Sequence, residues 1–192
     1  MHKQIPHIIF IPNMKMKNLF VILALCVSFL PGCKKLSQLT KFNISHNSEA
    51  TINAGSNINL PFDIYSPDVT TNSESEYQSN NTRIDLVESI LLNQLQLSVT
   101  TPSGKNFDFL KDIELYISAS GLSEKKIASV YNIADNVGSQ IDLTTENVNL
   151  KEYISKDKYK LRLRVTTDKV VSQEVKIKIF SKFLVDAKIL GL

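Results

Sequence analysis

"YKLRLRV", residues 159–165, alternates apolar and cationic side chains along its whole length. Successive side chains of a β-strand point to opposite faces, so this alternation predicts a strand with one buried face and one solvated face. The buried face would carry Tyr159, Leu161, Leu163 and Val165, and the solvated face Lys160, Arg162 and Arg164.

The same two-residue period recurs through the rest of the chain, with no long helical pattern between the repeats. It appears at residues 42–44, 58–64, 95–99, 113–117, 141–143 and 175–189. Many short strands without a helical layer predict an all-β fold, which we expect to be an antiparallel β-sandwich with a few short helical turns. An immunoglobulin-like architecture is compatible with this pattern, although the Cys–Trp–Cys signature is absent, and a barrel is the alternative.

Two stretches carry more specific expectations. Residues 66–83 have almost no large apolar groups, which predicts a long loop or a polar edge strand. The alternation over 174–190 exceeds the usual strand length, so we expect a bend or a change of sheet near Ser181. No repeat or second domain is visible, and residues 41–192 are predicted to form a single β-rich domain.

The charged residues exclude several function classes. Three of the 22 basic residues, Lys3, Lys15 and Lys17, precede Cys33, so the chain after Cys33 has 19 basic and 19 acidic residues. A neutral domain lacks the basic surface that nucleic-acid binding needs. No cysteine follows Cys33 and His46 is the only later histidine, so we predict no enzyme activity, no metal and no cofactor. His46 lies in a polar stretch and is predicted to be a solvated loop residue.

The N-terminal region has the organisation of a secretory signal. The run Leu19–Leu30 has 12 residues and is apolar except for Ser28, which is too short for a membrane-spanning helix but suits a signal peptide. Lysines precede the run and a small residue, Gly32, follows it. We therefore predict a signal peptide over residues 1–32, with the natural start at Met14.

The end of this run, Leu30-Pro31-Gly32-Cys33, resembles the lipobox of bacterial lipoproteins. The resemblance implies cleavage between Gly32 and Cys33 and attachment of a diacylglyceryl group to the Cys33 thiol. Residues 33–40 would then be a lipidated tether, and the acylated Cys33 would hold the protein in the bilayer. Pro31 departs from the commoner Ala, Ser or Thr at that position.

The residues after Cys33 refine the expected location. Residues 34 and 35 are both lysine, so the Asp that retains some lipoproteins in the inner membrane is absent. The segment "KKLSQLTK", residues 34–41, also has none of the acidic residues that are linked to surface export when they lie near the cysteine. By resemblance, these features favour the outer membrane, on its periplasmic side.

Charged side chains on the predicted strands suggest two kinds of site. Lys160, Arg162 and Arg164 would form an anionic-surface contact, extended by Lys176 and Lys178 if the two strands pair. An ordinary solvated face with protective lysines is the simpler interpretation. Carboxylates form two groups, Asp108, Asp112 and Glu114, and Glu74 and Glu76, which we interpret as solvated surface. Glu74 and Glu76 together with Asp68 are also candidate calcium ligands, although EF-hand spacing is absent.

The sequence leaves three hypotheses for the domain. The first is a noncatalytic binding or structural domain of a membrane-anchored envelope lipoprotein, whose partner would be an envelope protein or a glycan. The second is a carrier of a hydrophobic ligand such as a lipid, and the least favoured is a carboxylate-based hydrolase. An apolar cavity of several hundred Å³ would favour the carrier, whereas a filled core would favour a binding surface.

Overall fold

The computed structural model describes residues 40–56 and 58–188, which belong to the compact unit Leu39–Leu192. The predicted signal peptide, the cleavage site at Gly32 and Cys33, and most of the tether lie outside the described residues. None of the helices within the described ranges has the length and apolar character needed to cross a membrane.

The described residues are mostly strand, which confirms the all-β prediction. The strands, in chain order, are β1 (Lys41–Ile52), β2 (Phe62–Tyr65), β3 (Val69–Thr70), β4 (Val87–Thr101), β5 (Leu110–Ala119), β6 (Lys125–Val130), β7 (Gln140–Thr145), β8 (Lys158–Thr167) and β9 (Val175–Ala187). The helical elements are α1 (Ser73–Ser79), α2 (Lys151–Ile154) and a 3₁₀ turn at Ile84–Leu86.

The strands form an antiparallel sheet that folds over on itself at β7. Its order is β1-β9-β4-β7-β6-β5-β8-β2, with β3 also paired to β8. One end of β7 pairs with β4, whereas Thr144 and Thr145 pair with β6. The two halves, β1-β9-β4-β7 (the first sheet) and β6-β5-β8-β2 (the second sheet), face each other as a curled, half-barrel sandwich.

The inward rows of both halves form one continuous apolar core. Leu163 of β8 and Ile179 of β9 are completely buried, as are Leu115 of β5 and Leu97 of β4. Each fully buried aliphatic side chain of this kind stabilises the fold by about 1.5–3 kcal/mol relative to exposure. The two-residue period therefore has its expected cause, since one face of each strand is removed from water.

β9 does not change sheet near Ser181, so that alternative of the prediction is wrong, whereas the bend stays a prediction. β9 is a continuous strand of 13 residues, and its pairing with β1 runs unbroken through His46 and Ser181. The irregularities lie in β4, where one register shift between Leu92 and Gln94 faces this part of β9. A bulge adds a residue to one strand, so the irregularity near Ser181 lies in the neighbour of β9 and not in its pairing with β1.

Residues 66–83 are more structured than a loop or a polar edge strand. They contain the two-residue strand β3 and the helix α1, whose Tyr77 is buried. The Tyr77 hydroxyl lies 3.4 Å from Ser155 Oγ. One buried aromatic side chain thus attaches a polar segment to the domain, which a count of apolar residues cannot show.

Candidate functional site: a tyrosine–arginine face

Outward side chains of β2, β8, β5 and β6 form two rows across the second sheet. The strand registers align Tyr65, Arg162, Tyr116 and Lys126 in one row, and Asp63, Arg164, Glu114 and Ser129 in the next. Glu124 precedes β6 and Tyr131 follows it. Together these ten residues are called the tyrosine–arginine face.

Arg162 lies at the centre of this face and is held on three sides. Its Nη1 donates to Asp63 Oδ1 at 2.7 Å, its Nε donates to Glu124 Oε1 at 2.8 Å, and its Nη2 donates to the other Glu124 oxygen. The guanidinium carbon also lies 4.1 Å from the ring centroid of Tyr116. The hydrogen bonds to Glu124 raise the pKa of Arg162, and burial opposes them. A two-pronged, charge-assisted contact of this kind fixes the orientation of the guanidinium.

Glu114 is held in a similar way by two tyrosines. Its carboxylate accepts hydrogen bonds from the hydroxyls of Tyr131, at 2.5 Å, and Tyr116, at 2.9 Å. The bond from Tyr131 is the main reason that the pKa of Glu114 is lowered. Burial raises the pKa of Tyr116. The carboxylate is therefore ionised at neutral pH, and the raised pKa of Tyr116 keeps that hydroxyl protonated as a donor.

Charges on the face cancel, and two aromatic rings remain available to a ligand. The cations Lys126, Arg162 and Arg164 are matched by the anions Asp63, Glu114 and Glu124. Tyr65 and Tyr131 are 58% and 49% exposed. Tyrosine and arginine are the residue types enriched at the energetic centres of protein interfaces. The arrangement can therefore bind a ligand by stacking and hydrogen bonding.

The structure places the residues of the predicted basic surface on two different sheets. β8 pairs with β5, β2 and β3, whereas β9 pairs with β1 and β4, so the two strands do not lie side by side. The predicted cations have separate acidic neighbours: Lys160 lies 3.6 Å from Asp68, Arg162 and Arg164 belong to the face above, Lys176 lies 3.9 Å from Glu174, and Lys178 is opposite Glu49. The anionic-surface contact stays a prediction, which the interleaved carboxylates do not support.

The carboxylates near β5 also have separate partners. Lys105 Nζ lies 3.1 Å from Asp108 Oδ1, and the Asn132 backbone N–H donates to Asp112 Oδ1 at 2.9 Å. Within the described part of the chain, no group of three or more His, Cys, Asp or Glu side chains is placed to hold a metal ion. The hydrolase hypothesis gains no support from these positions.

The observed grooves do not favour the carrier hypothesis. Five of the surface grooves have volumes of about 340–540 Å³, and the residues that border them are mainly polar or charged. One, for example, is bordered by Thr70, Asn72, Glu74 and Asp157. A carrier of an apolar ligand needs an apolar pocket, whereas the space between the sheets is filled by side chains.

Sequence reasoning assigned two members of the face, Arg162 and Arg164, to a candidate contact surface and placed Glu114 among solvated carboxylates, but it did not bring the members of the face together. The alternation in "FDIY" at residues 62–65 does predict that Asp63 and Tyr65 share one face. The missing information was the register that aligns β2 and β5 with β8. Pairing between distant strands leaves no local signal, so the neighbours of Arg162 were not predictable.

Comparisons with known proteins add no functional information. No protein-family model matches the sequence, and no curated protein matches it. One solved structure, from Desmodium yellow mottle tymovirus, covers 79% of this chain and 85% of its own, with 11% sequence identity and a TM-score of 0.28. A similarity this distant supports no conclusion about what this chain binds.

Proposed function

We propose that this chain is a lipid-anchored protein of the bacterial envelope, whose β-domain binds another protein without catalysing a reaction. The observation that carries the binding role is the tyrosine–arginine face. Its anchor would be the acylated Cys33, and its location the outer membrane on the periplasmic side. The anchor rests on the lipobox resemblance of Leu30–Cys33.

Three properties of the face favour a protein as its ligand. It presents tyrosine and arginine side chains on an open sheet, whereas small ligands are usually enclosed in pockets. Its charges balance, so long-range attraction to a polyanion is weak. Arg162 and Glu114 are already held by several hydrogen bonds, so binding orders few additional side chains and loses less entropy.

The anchor is tested by labelling cells with an alkyne fatty acid and fractionating their membranes. Wild type should incorporate the label and remain in the membrane, because two or three acyl chains hold a protein essentially permanently. Cys33→Ser should lose the label and keep its signal peptide. Cys26→Ser is the matched control, since Cys26 lies within the apolar run and would be removed with it. Label on Cys33→Ser, or a soluble wild type, would refute the anchor.

The binding face is tested by placing a photoreactive amino acid at individual positions in living cells. Substitution at Tyr65 or Tyr131 should give a defined adduct with a protein, and substitution at Asn43 or Lys178 on the first sheet should not. Charge reversal by Arg164→Glu should abolish the adduct.

Lys178→Glu is the matched control for that reversal, because it changes an exposed cation on the other sheet. Equal adducts from both sheets, or an adduct that Arg164→Glu leaves unchanged, would refute the proposed face. An adduct with a glycan alone would refute a protein partner and indicate the second ligand class.

A further inference from the structure

The two ends of the sheet meet without pairing. β1 is the first strand in the sheet order and β2 the last, and β1 lies close to both β2 and β3. No strand pairing joins them within residues 40–56 and 58–188. A groove of about 540 Å³ marks this junction, called the seam here, and it is bordered by Ser45–Glu49 on one side and residues 67–70 on the other.

His46 crosses the seam. Its ring lies 3.2 Å from the Thr71 carbonyl oxygen through Nε2 and 3.0 Å from the Tyr159 hydroxyl through Nδ1. It also packs against Phe183, with ring centroids 5.5 Å apart. The prediction of a solvated loop histidine is therefore wrong, because β1 continues through this polar stretch and turns His46 inward.

The two partners determine which ring nitrogen carries the proton. A backbone carbonyl only accepts, so Nε2 of His46 must donate to Thr71. A neutral imidazole then has a lone pair on Nδ1, which accepts the hydrogen bond from Tyr159. A second proton on Nδ1 would face the Tyr159 hydroxyl, whose own hydrogen would lose its acceptor.

Groups from every neighbouring element surround the His46 ring. β8 contributes Tyr159, α1 contributes the charge of Glu76, and β9 contributes Phe183 and Ser181 opposite His46. Glu49 and Asp68 border the same groove. Burial lowers the pKa of His46, and it outweighs the Thr71 hydrogen bond and the Glu76 charge, which both raise it. Burial also strongly raises the pKa of Tyr159, so its hydroxyl stays protonated.

Thr71 is itself firmly held on the far side of the seam. Its hydroxyl donates to the Lys156 carbonyl at 2.6 Å, and its N–H donates to the Asp157 carbonyl at 3.0 Å. His46 therefore connects β1 to a fixed part of the second sheet. We propose that neutral His46 is a latch that holds the seam closed, and that protonation of its Nδ1 in acid breaks the hydrogen bond from Tyr159 and draws the charged ring towards solvent, which opens the seam.

Hydrogen exchange of the protein purified from cells in detergent micelles tests the latch. Peptides from β1 and residues 67–72 are compared at pH 7.5 and pH 5.0, with peptides from β5 as the reference. After correction for intrinsic exchange, opening of the seam should increase in acid by up to about tenfold for each unit by which the pKa of His46 lies below 6.5. Equal protection of the seam at both pH values would overturn the proposal.

His46→Gln keeps a donor and an acceptor but has no proton to gain, so its seam should lose the acid response. A variant that responds to acid as wild type does would refute the latch. If this variant does not fold, the latch is tested instead by an NMR titration of ¹³C-labelled histidine in wild type and in Tyr159→Phe. Removing the Tyr159 hydroxyl takes away a hydrogen bond that only the neutral ring accepts, so the midpoint of His46 should rise. A wild-type midpoint at or above 6.5 would overturn the proposal.

Discussion

The strands β8 and β9 have the same sequence pattern and different outer surfaces. Both alternate buried apolar residues with cations that point outward. On β8, Arg162 lies between Asp63 and Glu124 and stacks on Tyr116. On β9, Lys178 is aligned with Glu49 and Ser98 and is exposed. The neighbouring strands, rather than the alternation, therefore determine what an outward cation does.

This difference has an energetic consequence. Exposed lysine–carboxylate pairs usually contribute less than about 1 kcal/mol, because water screens them and two long side chains must be ordered. Arg162 has a side chain that is only 14% exposed and makes a two-pronged contact. Removing it would leave two carboxylates close together without their cation. Substitutions of outward side chains should therefore change stability differently on β8 and β9, whereas substitutions of inward side chains should have similar effects on both strands.

The largest effect should come from the inward rows, where β8 and β9 are alike. Leu163→Ala and Ile179→Ala each remove buried methyl groups from completely enclosed positions, so each should lower the free energy of unfolding by about 2–5 kcal/mol. Urea denaturation of a chain beginning at Lys34 measures both. A loss below about 1 kcal/mol for either variant would contradict a core shared by the two sheets.

Substitutions in the outward rows should lower the free energy of unfolding by different amounts on β8 and β9. Arg162→Ala should lower the free energy of unfolding by about 1–3 kcal/mol, since it leaves Asp63 and Glu124 without their shared donor. Lys178→Ala, the matched control, should change it by less than about 0.5 kcal/mol. Arg162→Lys should recover only part of the loss, because an ammonium cannot reproduce the planar fork. Equal losses for Arg162→Ala and Lys178→Ala in the same denaturation assay would remove the distinction between the strands.

The strand content was predictable because burial of one face leaves a two-residue period in the sequence. Leu161, Leu163 and Val165 are buried as the alternation predicts. The order of strands was not predictable, because β8 pairs with β5, whose partner residues lie 40 or more positions earlier, and no local residue type encodes that partner. The expectation that β8 and β9 share a basic surface required these two strands to pair, and they are not neighbours in the sheet.

His46 shows the same limit for a single residue. Its neighbours in the sequence are polar, which indicated a loop, but the strand continues because β9 offers twelve aligned partners to β1. The groups that bury it, Tyr159 and Phe183, come from more than 110 residues away. A polar stretch predicts solvation only when no distant strand covers it.

The smallest effect concerns the hydrogen bond from Tyr131 to Glu114, which has no counterpart on β9. Tyr131→Phe removes the main cause of the lowered pKa of Glu114, so that pKa should rise towards 4.5. A lowered folded-state pKa stabilises the fold above the unfolded value, and this contribution is lost as the pH falls through the folded value. The variant should therefore be slightly less stable than wild type at neutral pH, by less than about 1 kcal/mol because the site is solvated.

Below the pKa of folded Glu114 the two proteins should converge in stability, since the carboxyl is protonated in both states. A carboxyl NMR titration locates the folded-state pKa of Glu114 directly, and urea denaturation at pH 7 and at a pH below that measured value follows its contribution to stability. Tyr65→Phe is the matched control, because it removes a hydroxyl from the same face that does not donate to Glu114. If Tyr131→Phe left the titration of Glu114 unchanged, the two tyrosines would not hold this carboxylate. The outer surface of β8 would then resemble that of β9 more closely than the hydrogen-bond geometry indicates.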